Sequence, residues 1–593
     1  MRYFLKQTTP SKKGVYLQIY KSFYIPGKGG RNASFQKLGY VSDLMKNGIK
    51  DPFAYGKKLV EELNQKESKS VPQIDDLPKT FNVGYFLLSS MFQLLNIDND
   101  LHLMTKSKKF QYDFPSFLKD MVYAQSICPG SKYKLYEKVI PFLYGERSYS
   151  YDQILDGIKY IGSDYQKYIE LLNAHIQNNF SRKTDTVFFD CTNYYFEIDA
   201  EDELRRKGPS KEMRKSPIIG QALMLDSDQI PLAMTLYPGN ESEKPRLREH
   251  VEDIKSRYGV NSRVVQVADK GLNCAKNIYA AVREANDGYI FSKSVHGKNL
   301  SSQEKEWLLM ENENNVWAEV LNKDGSLHYR YKEQIDKFTY CFVDDEGNKQ
   351  TFTVKEKRVV TYNQNLALKQ RKEILKEVNK AKSISVKGLA KEEYGDCAKY
   401  VTFNAVSKEG KHTKITATIN QKKVDEDLKY AGYNLLVTSE IKKDAKEIYS
   451  IYHGLWRIEE SFRILKTYLE SRPVYVSTME AIYGHFLICY YALTLVRLLE
   501  IKVFQDEIPA SKIYEFMREY NVTQSADGTY INNATNSFTY KRIKEKLGLL
   551  KLGNLYLKKK DIKNLLDGID LNTTNYDEIL KSGIFFYTIC VSK

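Results

Sequence analysis

The chain has 593 residues, a formal net charge of +15 and a sequence pI near 9.0, which leaves room for three or four domains and points to a polyanionic partner, most commonly nucleic acid. The longest apolar run of the second half, Phe486 to Val496, is too short to cross a bilayer, and the opening MRYFLKQTTPSKK lacks the apolar stretch of a secretory signal, so the expectation is a protein without membrane attachment. Seven scattered cysteines with no C-x-x-C pair suggest neither a disulfide framework nor a zinc site.

Residues 1 to 40 predict two or three strands, with YLQIYKSF and SFQKLGY flanking a turn at Pro26-Gly27-Lys28-Gly29-Gly30. The glycines read as a hairpin turn, because no helix with Lys-Ser/Thr follows, as a phosphate loop would need. Asn64 to Lys79 is polar, aperiodic and proline-containing, and reads as a linker. Residues 1–78 thus form an N-terminal β-hairpin region with its linker.

Residues 79–180 carry a helical pattern, with VGYFLLSSMFQLL and FLKDMVYAQSI as apolar helices. Ser150 with Gln153 predicts a capping box opening YDQILDGIKYI. Lys106, Lys108, Lys109, Lys132 and Lys134 near the helix ends suit a DNA-binding region; an ordinary helical domain fits nearly as well.

From residue 181 the character changes. Thr186 to Phe196 is β-branched and aromatic, a buried strand with Asp190 inside it, where a carboxylate needs a partner. After the basic stretch Arg205, Arg206, Lys207, Lys211, Arg214 and Lys215 come the strands IIGQALML and IPLAMTLY, joined by a turn holding Asp226 and Asp228. A helix over Lys244 to Tyr258, the strand RVVQVADKG ending in Asp269, a helix over Ala275 to Glu284 and the strand GYIFSKS complete a β-β-β-α-β-α-β order over 181–295. Asp269 is a strand-end carboxylate with a tight turn behind it, where sites of open α/β sheets lie.

Residues 296–443 read as a β-rich insertion, with strands such as LHYRYK, FTYCFVDD and TFTVKEKRVVTY, and a charged, hairpin-like helical segment over Leu366 to Ala381. Trp307 and Trp317 there read as core residues rather than base-stacking ones. Residues 444–505 resume with IYHGLWRIEESFRILK, whose Ile451, Leu455, Ile458, Phe462, Leu465 and Leu469 predict one buried helix face. Tyr452, Glu459 and Lys466 are spaced by seven and line up roughly 10 Å apart at the edge of that face. Taken alone, Glu459 and Arg463 are an ordinary i,i+4 surface pair. Ser477 with Glu480 predicts a second capping box before AIYGHFLICYYALTLVRLL. Residues 506–593 are short mixed elements without a specific role.

Asp190, Asp269 and Glu459 are hard oxygen ligands on separate rigid elements, as two Mg²⁺ ions require. Two such ions can activate water or a 3′-hydroxyl and stabilise the leaving oxygen of a phosphodiester. Tyr452 and Lys466 could reach neighbouring phosphates. Glu460 is the competing choice for the third ligand, and His453 reads as structural, since such a site does not call for imidazole.

These residues resemble the DDE transposases of bacterial insertion sequences, in the branch whose helix reads Y-x2-R-x3-E-x6-K. Tyr452, Glu459 and Lys466 fall on its Y, E and K, and Asp190-Cys191-Thr192 and VADKG resemble the two aspartate strands. YPGNESEK, Tyr237 to Lys244, resembles the loop after the third strand. The Arg position holds Leu455, so Arg457 or Arg463 would have to supply that charge, and Arg457 lies some 200° round the helix from it. The resemblance implies an α/β multidomain protein: an RNase H-like mixed-sheet core in 181–295 and 444–505, interrupted by the β-rich insertion. Its catalytic and metal residues would be Asp190, Asp269 and Glu459, with Tyr452, Lys466, Lys270, Arg457 and Arg463 binding phosphate. It further implies a polynucleotidyl transferase that cleaves 3′ ends at terminal inverted repeats and joins them to target DNA. The cofactor would be two Mg²⁺ ions, with Mn²⁺ able to substitute, and the partners double-stranded DNA and a second copy in a synaptic homodimer at the bacterial nucleoid in the cytoplasm. A structure-selective nuclease on the same core and a domesticated, non-catalytic DNA-binding protein are the alternatives.

Overall fold

The computed structural model describes residues 2–8, 14–25, 29–69, 78–106, 108, 110–211, 215–296, 300–310, 316–387, 391–408, 411–525 and 527–571. It divides into two compact units, Met1–Thr80 with Thr523–Asp527, and Phe81–Val522 with Gly528–Lys593.

In the first unit, strands β1 (Arg2–Gln7), β2 (Tyr16–Ile25) and β3 (Gly29–Tyr40) form an antiparallel sheet in chain order. Helix α1 (Val41–Lys46) follows, then α2 (Pro52–Lys69). Alternation places Tyr3, Leu17 and Ile19 on one buried face. There α2 approaches so closely that a Cβ at Gly56 would lie 2.8 Å from Leu5 Cδ1. The Asn64 side chain bonds both backbone groups of Tyr3, at 2.8 and 2.9 Å. The helix therefore takes residues 64–69 from the expected linker: Asn, Gln, Lys and Glu there are polar yet compatible with a helix, so aperiodicity did not mean coil. Residues 70–77 of that linker, and 26–28 of the expected turn, lie outside the described residues.

The second unit opens with α3 (Phe86–Leu95), α4 (Phe114–Ile127), α5 (Tyr151–Ser163) and α6 (Tyr165–Phe180). The capping box at Ser150 and Gln153 forms. A mixed sheet follows, built from β4 (Thr186–Tyr195), β5 (Ile218–Leu225), β6 (Pro231–Pro238), β7 (Val265–Ala268) and β8 (Gly288–Lys293), with helix α7 (Lys244–Arg257) between β6 and β7. The strands β4, β5 and β6 pair antiparallel, while β4, β7 and β8 run parallel.

The sheet does not stop at β8. From the 296–443 segment, β9 (Ala318–Leu321), β10 (Leu327–Val343), β11 (Lys349–Tyr362) and β14 (Tyr433–Thr438) extend it to nine strands in the order β9-β10-β11-β14-β8-β7-β4-β5-β6. LHYRYK and FTYCFV belong to one long strand, which ends before Asp344 and Asp345. Helix α8 (Gln364–Lys387) is a single helix, not the hairpin-like segment expected, because no turn residue interrupts LALKQRKEILKEVNKA. Strands β12 (Val401–Lys408) and β13 (Lys411–Ile419) form a separate pair, followed by α9 (Gln421–Lys429).

Both faces of the core sheet are covered. Val187, Phe189 and Cys191 of β4 face one apolar cluster with α7, while Phe188 and Tyr194 face another, the period-two split of a doubly buried strand. Against the second face lie α10 (Ala445–His453), α11 (Trp456–Arg463) and α12 (Met479–Leu498). The cap of α12 is Thr478, whose hydroxyl accepts from Ala481 N–H at 3.3 Å, so the box expected from Ser477 and Glu480 does not form: the cap lies one residue later, and Ala481 has no polar side chain to bond back. Helices α5 and α12 cross at Gly162 and Gly484, where a Cβ on either would lie within about 2 Å of the other helix's backbone. Among the described residues no helix is long and apolar enough to cross a membrane.

Candidate active site

The helix carrying Tyr452, Glu459 and Lys466 is not continuous, as its apolar period had suggested. It tightens at Gly454 to Ile458, where amides reach only three residues back, including Gly454 N–H to Ile451 O at 2.9 Å and Ile458 N–H to Leu455 O at 3.1 Å. It widens at its end, where Leu469 N–H reaches five residues back to Ile464 O at 3.0 Å. The cause of the first change is close approach: a Cβ at Gly454 would stand 2.6 Å from the Phe188 ring of β4. A glycine there lets the α10–α11 junction press onto the strand that carries Asp190.

Phe189 of β4 pairs with Ala268 of β7. Their successors therefore stand on neighbouring parallel strands about 4.8 Å apart, Asp190 within β4 and Asp269 just past the end of β7. Asp190 shares the β4 face of Phe188, Thr192 and Tyr194. One of its oxygens accepts from Cys191 N–H at 2.7 Å. Burial lifts its pKa to about 6; Lys211 pulls it down, and the neighbouring Glu243 and Asp269 push it further up. Asp269 is exposed in the turn after β7, where Leu272 N–H bonds its carbonyl at 3.0 Å. The following helix starts only after Cys274, so Asp269 is not its cap.

Tyr452 connects the helix to these strands. Its hydroxyl donates to Asp269 Oδ1 at 3.3 Å, and its phenol is pushed well above its ordinary range by burial, then by Asp269 and by Glu459. Glu459 itself is exposed. At the far end of the stripe, Lys466 Nζ donates to Thr192 Oγ1 at 2.8 Å and lies 5.2 Å from the Tyr194 ring centre. Burial and Lys211 lower its pKa to about 8, against the pull of Asp190.

Glu460, the competing third ligand, is engaged elsewhere. It pairs with Arg457 at 3.2 Å, Arg497 at 2.9 Å and Arg463 at 3.3 Å. Arg457 is likewise absorbed: it bonds Gln229 at 3.2 Å, Glu500 at 3.2 Å and Asp506. This corrects its expected phosphate role, because its guanidinium lies in a network binding α11 to α12. Arg463 remains largely exposed. Leu455 is buried, as the apolar stripe requires. Asp226 and Asp228 are turn residues, Asp226 pairing with the buried Arg182 at 2.9 Å. His453 packs edge-on against Tyr449 with ring centres 4.1 Å apart. Trp317 is buried, with Arg330 and Lys332 on its ring. In the helical region Lys132 is buried against Gln125 and His485 at 3.1 Å each, so it cannot face DNA; Lys109 lies outside the described residues.

Two residues near Asp190 had not been singled out. The Lys211 ammonium donates to the Cys191 carbonyl and pairs with Glu243 at 3.3 Å. Asn193 docks this segment on β4 by bonding Pro209 O at 3.1 Å and Lys211 N–H at 3.2 Å. The only sequence signals were a basic loop and the YPGNESEK stretch. Beside Asp269, Lys270 lines two hollows of 870 and 860 Å³, which share Lys270, Lys293 and Ser294 at the C-terminal ends of β7 and β8.

The donor set suits a hard cation: all oxygens, with one carboxylate whose charge is disfavoured by burial and by its acidic neighbours. Two of the three carboxylates lie on neighbouring strands, and Glu459 acts electrostatically on Tyr452, which bonds one of them. Among the described residues no three His, Cys, Asp or Glu side chains already stand close enough to hold an ion.

No protein-family model matches the sequence, and no curated protein does. Among solved structures, a piggyBac transposase synaptic complex with hairpin DNA, determined by cryo-electron microscopy, aligns at 9% identity over 86% of this chain and 91% of that one, with a TM-score of 0.36. A likeness of that size carries no weight by itself, and the reading of this chain rests on its own strand order and side chains.

Proposed function

We propose that this chain is a DNA transposase of the DDE type, cleaving a phosphodiester at the ends of an insertion sequence and joining the freed 3′ end to target DNA. The observation that carries the reading is the juxtaposition of Asp190 and Asp269 on neighbouring parallel strands, with Tyr452 tying α10, which leads directly into the Glu459-bearing α11, to Asp269. The strand order supports it: numbering β4 to β8 as one to five gives 3-2-1-4-5, with 1-2-3 antiparallel and 1-4-5 parallel. An RNase H-like core would take that order, with the strands of 296–443 added beyond the fifth. Asp190, Asp269 and Glu459 would hold two Mg²⁺ ions, which supply Lewis-acid activation of the attacking hydroxyl and charge relief for the leaving oxygen.

The rest of the chemistry belongs to the chain's own groups. Lys466, anchored on Thr192, presents a partly desolvated ammonium to a phosphate, and Lys270 presents a solvated one at the Asp269 turn. Tyr452 holds Asp269 in one rotamer by donating to it, which leaves the second carboxylate oxygen for a cation. The test is Mg²⁺-dependent nicking and end-joining by the purified chain on duplex DNA from the flanks of its reading frame. Nicking without any joining of a pre-cut 3′-hydroxyl end would favour the nuclease instead.

A further inference from the structure

The first 42 residues hold eight Lys and Arg and no Asp or Glu; the acidic residues begin at Asp43. The three strands of the first unit therefore carry undiluted positive charge. Their register sorts the side chains. Tyr3, Leu17 and Ile19 are buried on the face that α2 covers. On the other face three cross-strand rows form: Arg2–Ser22–Asn32, Phe4–Tyr20–Ser34 and Lys6–Gln18–Lys37. None of these nine side chains is buried, and Arg2, Lys6, Asn32, Ser34 and Lys37 are exposed. The rows are tied together, with Lys6 Nζ 4.5 Å from the Tyr20 ring centre, the Phe4 and Tyr20 rings 6.0 Å apart, and the Gln18 amide donating to Ser34.

We propose that this sheet face docks in the major groove of double-stranded DNA. Three strands spaced about 4.8 Å span about 10 Å, within the roughly 12 Å width of that groove. Gln18, Asn32 and Ser34 offer the amide and hydroxyl chemistry that reads base edges, while Arg2, Lys6 and Lys37 suit phosphates or guanine. A protein partner would have to be strongly acidic to match a face with three exposed cations and no carboxylate. A single strand would want free aromatic platforms, and here the rings are half-buried between polar rows. The inference rests on the reading that the chain acts on DNA, but assigns this contact to the first unit, which contributes none of the three carboxylates.

The test uses the full chain and a fluorescein-labelled mixed-sequence duplex, with anisotropy followed across a salt series. Lys6→Ala/Lys37→Ala should weaken binding and reduce the log–log salt slope by about 2, close to one for each phosphate no longer neutralised, with an unchanged thermal melt. Lys57→Ala/Lys58→Ala, which removes equal charge from the exposed side of α2, should leave the slope nearly unchanged. Equal weakening in both double variants, or tighter wild-type binding to single-stranded competitor, would overturn the proposal. A Lys6→Ala/Lys37→Ala protein that binds and nicks as wild type overturns this inference alone; a wild-type chain that binds no duplex overturns it together with the transposase reading.

Discussion

The Tyr452 hydroxyl donates to Asp269 Oδ1 across 3.3 Å, joining residues 183 positions apart. One end is fixed by the α10–α11 helices pressed onto β4, the other by the turn after β7. Everything inserted between them leaves that contact in place, because the insertion departs after β8 and returns through β14, which pairs with β8.

Tyr452→Phe removes this bond without changing the packing of the ring. Removal of one hydrogen bond to a carboxylate, worth ~1.5 kcal/mol, predicts a melting temperature lowered by no more than a few degrees, and a misplaced Asp269 carboxylate predicts roughly tenfold slower nicking. Single-turnover kinetics beside a thermal melt measure both.

Glu459 and Glu460 should separate by kind of effect. Glu459 is exposed, whereas Glu460 pairs with Arg457 and the fully buried Arg497. Glu460→Ala leaves those guanidiniums under-compensated and should cost roughly 3–5 kcal/mol of stability. Glu459→Ala should leave stability within about 0.5 kcal/mol and remove nicking. Denaturant melts of the two variants distinguish them, and a reversed pattern would exchange their roles.

Asp190 predicts a pH dependence. Its pKa is raised from 3.8 to about 6, so the native state holds its proton more tightly than the unfolded one. The stability it contributes is full below pH 3.8 and is lost as pH rises through 6. A divalent ion needs the charged form, so its affinity should fall about tenfold per pH unit below about 6. Calorimetric titration of Mn²⁺ from about pH 5 to about pH 7, the window which that pKa sets, should show this slope in the wild type and no binding at any of these pH values in Asp190→Asn.

Lys466 predicts the opposite limb. Burial lowers its pKa to about 8, so it is charged below that pH and neutral above. DNA affinity should decline above that value, and Lys466→Arg, which stays protonated, should flatten the decline. An identical alkaline profile in both proteins would remove Lys466 from phosphate contact.

The parts of this arrangement that depend on local pattern were legible in the sequence. β-branched and aromatic runs marked the strands holding Asp190 and Asp269, and the seven-residue spacing marked Tyr452, Glu459 and Lys466. Gly454 was not legible as a break, because a 3.6-residue period persists through one tightened turn; only the Phe188 ring it meets explains it. Arg457 read as a phosphate contact, since nothing local announces that Glu500 and Asp506, more than 40 residues on, enclose it. Lys211 and Glu243 reach Asp190 from irregular segments whose path is set by contacts such as Asn193 to Pro209, which leave no periodic trace.

The central claim is that two strand-borne aspartates and a helix-borne glutamate share divalent ions on DNA. Its most direct measurement is Mn²⁺ binding and nicking by the wild type, Asp190→Asn, Asp269→Asn and Glu459→Gln, each in complex with duplex DNA. The account predicts that each substitution removes bound ion and abolishes nicking while duplex affinity is retained. Nicking by the Glu459→Gln protein at the wild-type rate, with its ions undiminished, would contradict it.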